Sequence, residues 1–442
     1  MNYTIYPKPL SGVINAPSSK SIMHRVLICA SFAKGNSIIE NPLYSYDTVI
    51  TMKALESIGV TFKQDGEKLV VIPPKNYKFN ENIIECGNSA STARFLIPLF
   101  TSLFTNVVFK GDKRLIERLD TTDLTELPAE FLVNEQTINI SNIANINNVT
   151  IHNKNTSQLI SGLLFLIAII YQKGTLHLIT SDNKIDPYIE LTMDVLSNFG
   201  VKIEMKHQDN LFIININKHL KTSYSLFNNA SLKPTHYYIE GDYSSAANIL
   251  ALGLLGENII VKNLYQTSKQ GDKSFIDILK KMNAEFQIGI DAIRALNSNL
   301  NGTNIDLTYI PDLGPLLMGI ACVSKGRTTI QNYKRLLLKE SNRLDNTINI
   351  LKSLGAIINI VNDSIIIDGQ EQLNGGVAID PCNDHRLLMM VVALTSKYKE
   401  RVTILNAECV KKSYPNFWDD YRKLKGIVVV ATPEEGAKTN YE

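Results

Sequence analysis

The sequence predicts an α/β protein of two domains, each built from three βαβαββ modules. The first observation is a repeat. A polar cluster of small residues precedes an apolar helix near residues 16, 86, 153, 240, 309 and 380, a spacing of roughly seventy residues. The second is the tail that follows in the clearest copies: a helix closed by glycine, then two short strands around a turn pair. The third is length, because 442 residues suffice for two domains. Helix–strand alternation alone is common to all α/β chains; here the helix starts also share their composition.

The elements read in order as follows. APSSKS precedes IMHRVLICASFA, CGNSAST precedes ARFLIPLF, and NKNTSQ precedes LISGLLFLIAII. EGDYSS then precedes AANILALGLL, YIPDLG precedes PLLMGIACV, and DPCNDH precedes RLLMMVVAL. In the first module a strand, NSIIEN, follows the helix. Asp47 is positioned to cap the second helix, DTVITMKALESI, and Gly59 to close it. Strands VTFKQ and KLVVI flank Asp65-Gly66, a hairpin turn pair. The same tail recurs as LSNFGVKIE with Asp209-Asn210 and as LKSLGAIIN with Asp363-Ser364. The second module is the least regular, since LDTTDLTELPAEFLVNEQ has no clear helix end. Six modules of one kind divide most simply into two sets of three, with the break near KPTHYYIEGD. This sets an upper domain at 20–237 and a lower domain at 238–430 that also takes residues 1–19. The strand YTIYPK pairs back into the C-terminal half, giving two chain crossings and a cleft. Residues 431–442 are expected to form a disordered tail.

Composition narrows the function. Apolar residues make up 44% and charged residues 20%, as in ordinary soluble proteins. A net charge of +2 argues against a general nucleic-acid binder. The five cysteines, Cys29, Cys86, Cys322, Cys382 and Cys409, are scattered and odd in number, which suggests free thiols in a reducing compartment. MNYTIYPKPL has no signal-peptide pattern. LISGLLFLIAII is shorter than the ~20 residues a membrane span requires. A cytoplasmic, membrane-free protein is the expectation, and a monomer.

Helix N-termini offer unpaired N–H groups and a partial positive charge, and small residues let a ligand approach them. Several such starts facing one cleft would bind anions without raising net charge. Capping alone accounts for a Ser or Thr at any single start, but here cations accompany the caps. Lys20 and Arg25 follow Ser18-Ser19, and Arg94 follows the small run Ser89 to Ala93. Arg114 and Arg118 lie in GDKRLIERL, Lys339 and Arg343 in LLKESNRL, Arg386 in NDHR, and Lys411 and Lys412 in VKKSYPNFW. Guanidinium groups favour bidentate capture of carboxylate and phosphate. Asp312 in YIPDLGP and Glu340 among the cations are carboxylates placed to move protons.

Taken together, SSKSIMHR, GNSASTAR, KRLIER, TSQLISGLL, EGDYSSA, IPD, KESNRL, NDHR and KSYPNF resemble, in order, the motifs of the 5-enolpyruvylshikimate-3-phosphate (EPSP) synthase family. The resemblance runs from about Ile5 to Leu424. It implies an inside-out α/β barrel of three modules in each domain, with the central helices directed at an interdomain cleft; the cations, spread over both halves, converge only if that cleft closes on the first substrate. It implies transfer of the enolpyruvyl group of phosphoenolpyruvate to the 5-hydroxyl of shikimate 3-phosphate, with no metal or organic cofactor.

Carried over residue by residue, Lys20, Arg118, Arg343, Arg386 and Lys412 hold phosphoenolpyruvate, with Asn88, Ala90, Arg94 and Gln158 beside it. Lys20, Ser21, Arg25, Thr156, Ser157, Gln158, Tyr188, Asp312 and Lys339 face shikimate 3-phosphate. Asp312 is the base for the attacking hydroxyl, Glu340 the partner for proton transfer at the methylene, and Lys20 joins them in catalysis. Ile185 stands where the family often has a serine, and Leu337 where it has a basic residue. Ala90 stands where the family commonly has glycine, at the position where glyphosate packs; its methyl implies glyphosate tolerance. The related UDP-N-acetylglucosamine enolpyruvyl transferases differ in having Lys-Asn at Lys20-Ser21 and a loop cysteine as acid. The remaining alternative is a non-catalytic repeat scaffold.

Overall fold

Each apolar run predicted as a helix is one, and a capping side chain starts most of them. A computed structural model describes residues 1–79, 81–120, 127, 129–141, 146–152, 156–217 and 232–431. The first module holds α1 (Lys20–Ser31) and α2 (Tyr46–Glu56), the second α3 (Ala90–Leu103) and α4 (Lys113–Asp120), the third α5 (Ser157–Leu166) and α6 (Pro187–Asn198). The fourth holds α7 (Tyr243–Leu255) and α8 (Phe275–Lys281), the fifth α9 (Gly314–Cys322) and α10 (Arg343–Ser353), the sixth α11 (His385–Ala393) and α12 (Phe417–Lys423). Ser19, Ser89, Thr156, Asp242 and Asp384 each accept a hydrogen bond from the first turn of α1, α3, α5, α7 and α11. α9 has no such cap and is led in by a short 3-10 turn, Pro311–Leu313. These first helices are almost wholly buried, which is why their sequences are apolar on every face.

Among the described residues, six four-stranded sheets complete the modules. In the second module Ile83–Gly87 lies parallel to Val107–Gly111, Val107–Gly111 pairs antiparallel with Thr137–Ser141, and Glu130–Val133 forms the edge. The other sheets repeat this order, but three of their strands come from distant sequence. His236–Tyr238 supplies the parallel strand beside Ser37–Glu40 in the first module. Gly12–Asn15 does the same beside Ile259–Lys262 in the fourth. Tyr3–Ile5 lies between Val402–Ile404 and Val428–Val430, antiparallel to both. The chain divides into two compact units: a terminal unit, Met1–Pro17 with the chain from Glu240, and a central unit, Ser18–Ile239. Each has its own apolar core.

Several local expectations shift. Ser45, not Asp47, caps α2, in a reciprocal capping box with Thr48. Asp47 is thereby left for another partner. Two hairpin turns sit one residue from the predicted pairs: Asp65 faces Lys68 around Gly66-Glu67, and Val361 faces Ser364 around Asn362-Asp363. Asn362 and Asp363 have φ 48° and 57°, the left-handed pair a tight hairpin needs. The irregular second module keeps its second helix, which α4 supplies ahead of residue 121. Leu159–Ile170 lies within α5 and a wider π-type turn, Ile167–Tyr171, that ends with Gln172 at φ 59°. Among the described residues no helix is long and apolar enough to cross a membrane. The expected tail lies outside the described residues from residue 432.

α3 and α5 pack closely at Gly162. A Cβ there would stand 2.5 Å from the Arg94 carbonyl oxygen and 3.2 Å from that of Phe95. Glycine is required because the neighbour is helix backbone, which cannot rotate away. Gly162→Ala should therefore force the helices apart and cost about 1–3 kcal/mol. Urea unfolding of the variant checks this; an unchanged midpoint would contradict it.

Candidate active site

In the terminal unit, α10 and α11 begin close together, and one ion pair joins their starts. The Arg343 side chain is 1% exposed and that of Asp384 0%. Arg343 Nε donates to Asp384 Oδ2 at 2.9 Å and Nη2 to Oδ1 at 3.3 Å, a two-pronged contact. Asp384 also accepts from its own helix, through Arg386 N at 2.9 Å, and from Ser341 Oγ at 3.1 Å. The rest of the Arg343 guanidinium reaches outward: Nη1 to Asp312 Oδ1 at 2.9 Å, Nη2 to Glu340 Oε2. Asp312 gathers two further cations, Lys339 Nζ at 2.9 Å and Arg386 Nη2 at 3.7 Å. Five predicted residues, Asp312, Lys339, Glu340, Arg343 and Arg386, thus form one cluster.

The electrostatics follow from this crowding. Burial alone would favour neutral Asp312, but Lys339, Arg386 and Arg343 outweigh it and hold its carboxyl well below the usual range. Its side chain stays 36% exposed, so the carboxylate remains open to a ligand. Burial, with repulsion from Arg343 and Arg335, lowers Lys339, and Asp312 offsets part of that. Burial opposes the charge on Arg343, yet Asp384, Glu340 and Asp312 raise its pKa. Lys412 is 7% exposed at the end of a 3-10 turn, Ala407–Lys412, that packs on α11.

In the central unit, Lys20 at the start of α1 pairs with Asp47 at 2.7 Å, the carboxylate that Ser45 released from capping. Arg25 is buried and spends its donors within the protein: on Thr192 Oγ1 at 2.7 Å, Ser21 O at 2.8 Å and Tyr188 O at 3.0 Å. Its guanidinium also lies over the Phe95 ring at 4.9 Å and the Tyr188 ring at 5.9 Å. Burial lowers its pKa to about 10, against the opposing pull of Tyr188 and Asp186. Thr156 caps α5, and the next residue, Ser157, is buried. Ile185 is half-buried, packed against the core just before α6.

The small residues of α3 are committed to neighbouring helices. Ser89 caps the helix and contacts Thr92 Oγ1 at 2.8 Å, Thr92 reaches Thr51 on α2 at 2.7 Å, and Thr51 reaches His24 on α1 at 2.8 Å. Ser91 accepts from Gln158 Nε2 on α5 at 3.0 Å. Arg94 Nη1 donates to Gln158 Oε1 and Nη2 to the Arg118 carbonyl, both at 3.0 Å. So Arg94, Gln158 and Arg118 come together, with Arg94 bracing the other two. Ala90 is 5% exposed and belongs to the apolar core, while Asn88 is half-buried with its backbone bonded to Tyr46. Asp384 sits inside NDHR, where the motif gave a signal for it. Thr51 and Thr192 gave none, because a hydroxyl in a helix is unremarkable until its partner is known.

Comparison with known proteins bears on what these residues serve. The family model described as EPSP synthase (3-phosphoshikimate 1-carboxyvinyltransferase) matches residues 5–421. A 3-phosphoshikimate 1-carboxyvinyltransferase from Clostridium perfringens is 35% identical over 435 residues, covering 96% of this chain and 98% of the relative. One from Clostridioides difficile is 33% identical over 446 residues, covering 96% and 97%. The solved EPSP synthase from Acinetobacter baumannii superposes with TM-score 0.73 at 22% identity, covering 97% of this chain and 99% of that one. The enolpyruvyl transferase NikO from Streptomyces tendae has the same fold, with TM-score 0.74 at 15% identity and coverage of 98% and 99%.

Asp384→Ala should strip Arg343 of its fully buried counter-ion, leaving it to Asp312 and Glu340, and should leave α11 uncapped. The loss should be about 1–3 kcal/mol for the severed charge-assisted hydrogen bonds, with about 1 kcal/mol more for the cap. Chemical denaturation measures it, and a loss under about 1 kcal/mol would contradict the pairing.

Proposed function

We infer that this chain, which belongs to the EPSP synthase family, transfers the enolpyruvyl group of phosphoenolpyruvate to the 5-hydroxyl of shikimate 3-phosphate and releases inorganic phosphate. The reaction is the 3-phosphoshikimate 1-carboxyvinyltransferase step of the shikimate pathway, on the way to chorismate and the aromatic amino acids. The observation that best supports a catalytic centre is the open Asp312 carboxylate held among Lys339, Arg343 and Arg386. A repeat scaffold has no use for such a cluster, since burying this much charge is costly without a ligand to serve. The full-length relatives named for shikimate chemistry favour this acceptor over UDP-N-acetylglucosamine.

In our reading the residues divide the work as follows. Lys20, Arg118, Arg343, Arg386 and Lys412 hold phosphoenolpyruvate, with Asn88, Ala90 and Gln158 lining its place. Arg94 acts behind them by fixing Gln158 and Arg118. Ser21, Arg25, Thr156, Ser157, Gln158, Tyr188 and Lys339 serve shikimate 3-phosphate. Arg25 does so mainly by setting Ser21 and Tyr188, to which its donors are already bound. The domains take the limits 20–237 and 238–430 with 1–19, and the enzyme works in the cytoplasm as a monomer.

Chemistry proceeds by addition and elimination. Asp312 accepts the proton of the 5-hydroxyl as its oxygen bonds to C2, and a proton is delivered to the methylene carbon, giving a tetrahedral intermediate. Loss of a proton from the resulting methyl group restores the double bond as phosphate departs. Glu340, hydrogen-bonded to Arg343, serves the carbon proton. Asp312 is a weak base while three cations surround it. It gains strength when substrate phosphate and carboxylate groups draw those cations onto themselves.

Phosphate release from phosphoenolpyruvate and shikimate 3-phosphate tests the reading. Release only with UDP-N-acetylglucosamine, or with neither acceptor, would overturn it. Asp312→Asn and Lys20→Met should each lower kcat by at least about a hundredfold while circular dichroism stays unchanged. Near-normal turnover in either would remove the role given to that residue. The unmodified enzyme should resist glyphosate, and Ala90→Gly should lower the inhibitory concentration; equal inhibition of both would refute the role of the methyl.

A further inference from the structure

Asp272 has no part in the reaction as written, yet it lies beside the site. It sits in a 3-10 turn, Gly271–Ser274, ahead of α8, and is 1% exposed. Gln270 fixes this turn: its Oε1 accepts from Tyr243 N at 3.1 Å, and its Nε2 donates to Glu240 Oε1 and Gly241 O, each at 2.8 Å. Asp272 Oδ2 accepts from Ser244 Oγ, at the second residue of α7. Among the described residues, its Oδ1 is buried with no hydrogen-bond partner, and so are Nε and Nη1 of Arg386.

The charged groups acting on Asp272 come from three neighbouring elements: Asp242 at the cap of α7, Asp312 ahead of α9, and Arg386 on α11. Arg386 in turn feels Asp312, Asp242, Asp272 and Arg343. One guanidinium therefore sits among three carboxyl groups, and its ion pair with Asp312 is loose at 3.7 Å. That arrangement suits an empty site better than a filled one. A substrate anion placed on Arg386 adds negative charge to a pocket already lined with it, and the repulsion falls on every carboxylate present.

One of these carboxyl groups can give way cheaply. Asp312 is held ionised by its cations. Asp272 is pushed the other way, up to about 7, by burial first and then by the charge of Asp312, with Arg386 and Ser244 opposing. We propose that Asp272 is a proton-exchanging positioning residue, which takes a proton from solvent when a substrate anion settles on Arg386 and returns it on release. No substrate bond changes; the carboxylate becomes a neutral carboxyl, and Arg386 is left to the ligand. The proposal rests on the reading above that Arg386 holds an anionic group of phosphoenolpyruvate.

The test compares the parent and Asp272→Asn, full-length, between pH 6 and 9. In the parent, KM for phosphoenolpyruvate should rise above pH 7, by on the order of tenfold at pH 8.5. The asparagine variant should lack that rise and keep most of its kcat. Ionisation of phosphoenolpyruvate itself affects both proteins equally and cancels in their ratio. Parallel profiles, or a uniform loss of kcat with no change in pH dependence, would overturn the proposal. Should the variant fail to fold, calorimetric titration of the parent with phosphoenolpyruvate in Tris and in HEPES at pH 7.5 remains decisive. Net proton uptake that fades below about pH 6 supports the proposal, and the absence of any buffer dependence overturns it. Calorimetry needs no turnover, so a failed assay with shikimate 3-phosphate would count against the function alone.

Discussion

The contact between Arg343 and Asp384 organises the terminal unit's chemistry. Both groups are buried, and the geometry is two-pronged, so the desolvation cost is offset by Coulomb attraction at short range. The same carboxylate caps α11, so the pair fixes the start of that helix as well as its distance from α10. Every other group in the cluster is aimed from these two helix starts or from the turn before α9. Had the pair been a solvent-exposed one, screening and side-chain freedom would have left Asp312 and Glu340 without a fixed guanidinium to meet.

The two units solve the problem of holding polar groups inside in different ways. The terminal unit uses ion pairs among acids and bases. The central unit leans on hydroxyls, running from Ser89 through Thr92 and Thr51 to His24, and on Thr192 and Ser161 beside Arg25. Hydroxyls can turn to donate or accept, so this network tolerates small shifts of its helices. The ionic cluster cannot adapt in that way, but it responds strongly to added charge.

Much of the fold was legible because its signals are local. A polar cluster followed by an apolar run marks a helix start; it occurs six times in one order, and a side chain caps five of those helices, α9 being the exception. The turns were found to within a residue, because an Asp or Asn can sit on either side of the left-handed position. The cations of the site were legible as well, since motif and helix start coincided at Lys20, Arg94, Arg343 and Arg386. Their partners were not. Asp47 looked like a helix cap and is the counter-ion of Lys20, and the bonds from Arg94 to Gln158 and to the Arg118 carbonyl had no sequence signal. Such pairings join residues 24 to 64 positions apart, and no periodicity reports on them. Asp272 was invisible for the same reason: its character comes wholly from what surrounds it.

The strand Tyr3–Ile5 lies between two strands from the far end of the chain, Val402–Ile404 and Val428–Val430. During synthesis this segment is made long before its neighbours and has no sheet to join until they follow. The central unit has no such delay, because its last borrowed strand, His236–Tyr238, arrives midway. The strands of the central unit are therefore complete in the chain well before the sheet that Tyr3–Ile5 joins, a contact of very long sequence separation.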